Sequence, residues 1–166
     1  MPCYYPLKGY YAKSVNRDTG KRGIVFNRQA GLVDRPVDLP CGQCIGCRLE
    51  KSRQWAMRCY HEASLYDDNS FITLTYNDAN LPEGGTLVKK HFQDFMKRLR
   101  FENSHKTIRF FHCGEYGEET LRPHYHACLF NLSFQDQKFY KLENGHRLYI
   151  SENLNRLWGF GYRSEE

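Results

Sequence analysis

In the stretch RPHYHACLF, Arg122 to Phe130, two histidines sit either side of a tyrosine at the front of a run of strand-forming residues. Side chains two apart on a strand share a face. His124 and His126 therefore point the same way, with Cys128 and Phe130 beyond them and Tyr125, Ala127 and Leu129 opposite. Two neighbouring imidazoles can reach one cation. The preceding run TIRFFHCGEYG carries Glu115 on the parity of Phe111 and Cys113, close to a polar turn. Antiparallel pairing through that turn brings Glu115 opposite the histidines. Two imidazoles and a carboxylate form three ligands with coordination positions left open, as a metal needs if it is also to hold a phosphate oxygen. A bare His-x-His on a strand is more often incidental than metal-binding, but the turn-adjacent glutamate reverses that balance. His112 is off the parity of Glu115 and is the poorer third ligand.

A second set of candidate ligands lies earlier. Cys41, Cys44 and Cys47 form a C-x-x-C-x-x-C run, with Gly42 and Gly46 allowing tight turns around a metal. An iron–sulfur site of the bacterial ferredoxin type needs a fourth cysteine where Lys51 stands. The fourth thiolate must come from elsewhere, and a hairpin over residues 9 to 27 turns the chain back so that Cys3 can lie beside Cys41. Cys3, Cys41, Cys44 and Cys47 then suit a closed structural Zn²⁺ site. Such a site would pin an N-terminal segment too poor in apolar residues to fold by packing alone. Cys59 falls on the apolar side of the following helix and reads as core.

The elements that must hold these ligands follow from periodicity. GYYAKSV and RGIVF flank the turn-rich NRDTGK as a hairpin, and AGLVDRPVDLP reads as an irregular connection. The cysteine block leads into a helix with Leu49, Trp55, Cys59 and Ala63 near one face. SFITLTY is a strand, NDANLPEGG a loop, and residues 89 to 102 a helix whose stripe of Val88, Phe92, Phe95, Met96 and Leu99 is core. The Glu115 and histidine strands follow as an antiparallel pair. KFYKL and HRLYI form a hairpin around Asn-Gly, and Ser151 caps a last helix carrying Leu154, Leu157 and Trp158. Strands joined by hairpins with helices between them predict an α+β fold, an antiparallel sheet covered by helices on one face.

Bulk properties bound the function classes. The 166 residues, 40% hydrophobic and 15% aromatic, exclude a disordered or low-complexity chain and suit a single domain. That domain comprises a hairpin and cysteine cluster over residues 1–48 and a sheet and helix core over 49–166. The net charge of +5 leans toward an anionic partner but is weak evidence alone. The N-terminus has no apolar core of signal-peptide length and no window approaches a membrane span. Seven cysteines without an export signal point to a reducing compartment, where clustered thiols are more often metal ligands than disulfides.

FITLTY followed by CGEYGEETLRPHYHACLF resembles the first two motifs of the His-hydrophobic-His (HUH) endonucleases that start rolling-circle replication. MPCYYPL, PCGQCIGCRLEKSRQWAMRC and LPEGGTLVKKHFQDFMKRLR are similar, more closely, to the replication initiation proteins of gokushoviruses, small single-stranded DNA phages. That resemblance spans nearly the whole chain. It implies a five-stranded antiparallel HUH-type sheet with Mn²⁺ or Mg²⁺ on Glu115, His124 and His126. It also implies nicking of single-stranded viral origin DNA by a tyrosine, in the cytoplasm of a bacterial host and alongside its replication machinery. Arg109, Arg122, Lys97 and Arg100 are the candidate DNA contacts.

The family's nucleophile is a tyrosine on a helix beyond the histidines, typically with a lysine four residues later. Only Tyr4 with Lys8 has that spacing, far upstream and broken by Pro6. The chain stops at LWGFGYRSEE, about where that helix would follow. A truncated, non-catalytic, zinc-stabilised nucleic-acid-binding protein is therefore the competing expectation, and a metal-dependent hydrolase unrelated to DNA a more remote one.

Overall fold

The computed structural model describes residues 3–143, 145–161 and 163–165, and the chain divides into two compact units, residues 1–58 and 59–166. In the first unit, β1 (Leu7–Ala12) pairs antiparallel with both β2 (Ile24–Val25) and β3 (Gly31–Leu39), giving the order β2-β1-β3. The turn between β1 and β2 is organised by Asn16, whose side-chain oxygen accepts from the amides of Asp18 and Thr19 at 2.9 and 3.0 Å. The expected hairpin is present.

The stretch read as an irregular connection is instead the nine-residue β3. Pro36 argues against a strand by sequence, but β3 lies at a sheet edge, where a missing amide donor costs no ladder bond. Gly31 is required in that register, because a Cβ there would fall 2.5 Å from Tyr10 Cβ. Helix α1 (Ile45–Ala63) begins inside the cysteine block and crosses the boundary between the units. Of its expected apolar face, Leu49 and Trp55 are exposed while Cys59 and Ala63 are half-buried, and Gly46 is its buried residue.

The second unit is built on a six-stranded antiparallel sheet. β4 (Asn69–Thr75) is followed by two single 3₁₀ turns, α2 (Lys89–Glu102), β5 (Arg109–Tyr116) and β6 (Pro123–Phe130). Then come β7 (Lys138–Glu143), β8 (His146–Ile150), α3 (Glu152–Trp158) and β9 (Arg163–Glu165). The order is β5-β6-β4-β9-β8-β7. The resemblance implies five strands; a sixth arises because the polar triplet Arg163–Glu165, with no strand signature of its own, inserts between β4 and β8.

Alternation explains the layering. Ile72, Leu74 and Tyr76 share one face with Tyr125, Ala127 and Leu129, and there they meet Phe92, Phe95, Met96 and Leu99 of α2. Leu154, Leu157 and Trp158 of α3 complete this core. Ser151 caps α3 as expected, accepting from the Leu154 amide at 3.0 Å. Asn144, expected in the β7–β8 turn, lies outside the described residues, as does Tyr162. Helices α2 and α3 cover one face of the sheet; the other carries His124 and His126, with Cys59, Tyr60 and Ala63 at the end of α1 beside Phe71 and Cys128.

Candidate metal centres

The β5–β6 register sets Glu115 opposite His124 and Cys113 opposite His126, while β4 on the other side sets Thr75 opposite His124 and Thr73 opposite His126. His126 Nε2 lies 2.7 Å from Glu115 Oε1, and His124 Nε2 lies 3.5 Å from the same oxygen. All three candidate ligand atoms lie within 4.8 Å of one another. Each ring is steered from behind. His124 Nδ1 is 3.0 Å from the Arg122 carbonyl and His126 Nδ1 is 2.8 Å from Thr73 Oγ1. In the tautomer whose Nδ1–H donates backward, each Nε2 lone pair is left toward Glu115, as ligand imidazoles require. Phe71 stacks on His126 with centroids 5.4 Å apart and planes 15° from parallel. The donor set therefore fits a divalent ion with open positions. The rings are half-buried, so a bound ion would still meet an incoming molecule.

Sequence reasoning missed Phe71 and Thr73. The signal was present in the alternation of SFITLTY, whose apolar members Ile72 and Leu74 are fully buried and leave Phe71, Thr73 and Thr75 on the histidine face. Beyond Phe71 an apolar cleft of about 320 Å³ opens, lined by Cys59, Tyr60, Phe71, Cys128 and Phe130 among others. Cys59 is thus a cleft wall rather than a core residue. His112 lies on the helix-facing side, stacked on Phe92 with centroids 4.0 Å apart, and burial pulls its pKa down.

The four candidate contact residues on this unit are engaged inside the fold. Arg122 donates from Nε to the Tyr76 carbonyl at 3.0 Å and from Nη2 to Asp78 at 2.7 Å, so it braces the carbonyl that holds His124. Arg109 sits 3.1 Å from Glu62 and Lys97 3.5 Å from Asp94. Arg100 donates to the Ile108 carbonyl at 3.1 Å and lies over the Phe110 ring.

In the first unit, Cys3, Cys41, Cys44 and Cys47 bring their sulfurs within 4.8 Å of one another. Cys41 and Cys47 are 4.0 Å apart and Cys44 and Cys3 3.9 Å apart, close to the ~3.8 Å edge of a tetrahedron with Zn–S bonds of ~2.3 Å. What returns Cys3 to the cluster is β3: Leu7 pairs with Leu39, so Cys3 and Cys41 flank the same end of the ladder, and the Cys41 amide donates to Cys3 Sγ at 3.3 Å. Amides of Tyr4 and Cys47 pull the Cys44 thiol down to about 6. Against a hydrogen bond from Gly42, burial and the neighbouring thiols push Cys47 up to about 12. Crowded sulfurs that cannot all ionise alone fit a dication, which supplies the missing charge.

The chain is thus a mixed α/β protein of antiparallel sheets with two candidate metal clusters, one of thiols and one of imidazoles and a carboxylate. The family model for Replication-associated protein ORF2/G2P matches residues 69–165. Replication-associated protein VP4 of Bdellovibrio phage phiMH2K is 39% identical over 74% of this chain and 41% of its own length. Replication-associated protein ORF2 of Spiroplasma virus 4 is 36% identical over 99% of this chain and 55% of its own. Replication-associated protein ORF4 of Chlamydia phage 1 is 33% identical over 75% and 33%. The chain spans about half the length, or less, of these curated relatives. No solved structure matches it. The chain belongs to the replication-associated protein ORF2/G2P family, in its gokushovirus branch. The family and the three phage relatives are all named as replication-associated, and among the described residues no helix is long and apolar enough to cross a membrane.

Proposed function

We propose that this chain is the part of a rolling-circle initiator that binds single-stranded viral origin DNA and holds the phosphate to be nicked. The observation that carries this reading is the convergence of both histidine Nε2 atoms on one oxygen of Glu115, on the sheet face opposite α2 and α3. A divalent ion held there by Glu115, His124 and His126 would polarise the scissile phosphate toward attack. The chain's own residues orient the ligands: Thr73 and the Arg122 carbonyl set the imidazoles, and Phe71 backs His126. The cleft beyond Phe71 is apolar and aromatic enough to take an unstacked base next to that phosphate. An HUH-type arrangement is supported by a histidine strand flanked antiparallel on both sides with helices on the opposite face. Imidazole ligands favour Mn²⁺ over Mg²⁺. The thiol cluster would hold a structural Zn²⁺. The setting is the cytoplasm of a bacterial host, with its replication proteins as further partners.

Titration with Mn²⁺ tests the site directly. The chain binds one ion, and His124→Ala with His126→Ala abolishes binding while far-UV circular dichroism is unchanged. Equal Mn²⁺ affinity in the double variant would overturn the assignment.

The competing reading, a non-catalytic zinc-stabilised nucleic-acid-binding protein, is favoured by one observation. The tyrosines on the histidine strand and at the ends of its two neighbours are committed elsewhere: Tyr125 and Tyr76 are buried in the core, and the Tyr116 hydroxyl accepts from the Leu87 amide at 3.3 Å.

A further inference from the structure

The charge of this protein is segregated between its two units. Residues 1–58 hold eleven Lys and Arg against four Asp and Glu, a net of +7; residues 59–166 hold thirteen against fifteen, a net of −2. The whole-chain value of +5 therefore hides a strongly basic unit joined to a mildly acidic one. The difference is sharper in how the cations are used. In the second unit Lys90, Lys97, Arg109, Arg122, Lys138 and Arg156 all sit within ion-pair distance of a carboxylate. In the first, the pairs are Arg53 with Glu50 and the loose contact of Arg35 with Asp34 at 3.9 Å. Lys8, Lys13, Arg17, Lys21, Arg28 and Lys51 are exposed, and none has a carboxylate partner among the described residues.

Large aromatic side chains are interleaved with these cations. Tyr5 is 74% exposed and Phe26 61%, and Tyr4 and Tyr11 are also open to solvent. Trp55 carries the Arg58 guanidinium over its ring at 4.9 Å. Exposed rings on a unit with almost no apolar core are not waiting to be packed internally. Among its described residues, Gly9, Ala12, Gly31 and Gly46 are the buried ones. Unpaired cations and open aromatic rings within one unit match single-stranded nucleic acid, whose phosphates take the cations and whose unpaired bases stack on the rings. Duplex DNA would offer the phosphates without free base faces.

We infer that the cysteine-organised N-terminal unit is the main grip on single-stranded DNA, rather than a structural appendage of the sheet that holds the phosphate. This rests on DNA being the substrate, as proposed above. It reassigns the affinity from Lys97, Arg100, Arg109 and Arg122 to the unit whose cations are unspent.

The test uses the whole 166-residue chain and a fluorescent single-stranded oligonucleotide at several salt concentrations. A variant with Lys8→Gln, Lys13→Gln, Lys21→Gln and Arg28→Gln should lose about tenfold or more in affinity, and its log–log salt slope should flatten by up to about 2.8, at ~0.7 per lost phosphate contact on a single strand. A matched variant with Lys89→Gln, Lys97→Gln, Lys106→Gln and Arg147→Gln should bind within about twofold of the parent. Tyr11→Ala with Phe26→Ala should weaken single-strand binding about tenfold while leaving the salt slope unchanged. Acetylation footprinting of the unmodified chain gives an independent reading: DNA should protect Lys8, Lys13, Lys21 and Lys51 but not Lys97 or Lys106. The inference is overturned if the second-unit variant takes the loss, if the footprint falls on the second unit, or if a duplex of equal length binds as tightly. Mn²⁺ affinity, measured on the same variants, should be unchanged throughout. Its loss in His124→Ala with His126→Ala is the separate test of the phosphate-holding site, so either reading can fail without the other.

Discussion

Thr73 Oγ1 and His126 Nδ1 lie 2.8 Å apart across the β4–β6 ladder, which lets the neighbouring strand decide which imidazole nitrogen faces Glu115. Thr73→Val keeps the shape and removes the hydroxyl. Partners behind a ligand imidazole are typically worth 10–100-fold in metal affinity, so Mn²⁺ binding should weaken by about that factor with the melting temperature little changed. Isothermal titration of the two proteins measures it. An unchanged affinity would mean that Thr73 does not orient the ring.

The thiol cluster should hold one zinc per chain, and the first unit should depend on it. With so few buried apolar residues, that unit lacks the packing to fold alone. Cys3→Ser should lose most of its zinc by elemental analysis and become protease-sensitive within residues 1–58, whereas residues 59–166 resist digestion. A Cys3→Ser protein with full zinc content would place the fourth ligand elsewhere.

Ser151 is fully buried and used twice: its hydroxyl donates to Asp136 at 2.6 Å and accepts from the Leu154 amide at 3.0 Å. Ser151→Ala should cost about 1–3 kcal/mol in urea unfolding, because both partners lose a buried bond. Asp136 adds a pH signature. Partial burial raises its pKa, but hydrogen bonds from Ser151 and the Asn153 amide outweigh that and hold it below 3.8. A depressed carboxylate contributes stability that is present above its unfolded pKa and lost as pH falls through the folded one. Without Ser151 the folded pKa rises, so the loss on acidification should begin at higher pH. Parallel acid limbs would count against this role.

Residues 1–166 should bind an origin oligonucleotide in Mn²⁺ yet form no covalent adduct, since positioning alone cannot replace an in-line nucleophile. A chain extended to the length of the phage relatives, through a tyrosine-bearing helix, should form one. Denaturing gels read the result. An adduct from the shorter chain would call for mapping of Tyr4 and Tyr162.

The histidine face was legible because it depends only on period two: the positions of His124, His126 and Glu115 follow from alternation and one short turn. The α2 stripe and the Ser151 cap were legible for the same local reason. β3 was not, because Pro36 is acceptable only where no neighbour needs its amide, a fact about sheet order rather than sequence. Residues 163–165 became a strand through the ladders offered by β4 and β8. The fate of the arginines was equally hidden. Whether Arg109 or Arg122 is available depends on where Glu62 and Asp78 end up, and those partners are 47 and 44 residues away in sequence.

The position of β9 has a consequence for how the molecule is made. Its three residues are the only described ladder between β4 and β8, so the histidine-bearing half of the sheet and the β7–β8 hairpin stay separate until they pair. Gly161 guides that insertion: it passes so close to the end of β4 that a Cβ would fall 2.3 Å from the Asn77 nitrogen. A ribosome delivers these residues after all the others in the sheet. The nascent protein can therefore assemble its candidate metal ligands early, while the sheet as a whole closes only when residue 165 has left the exit tunnel.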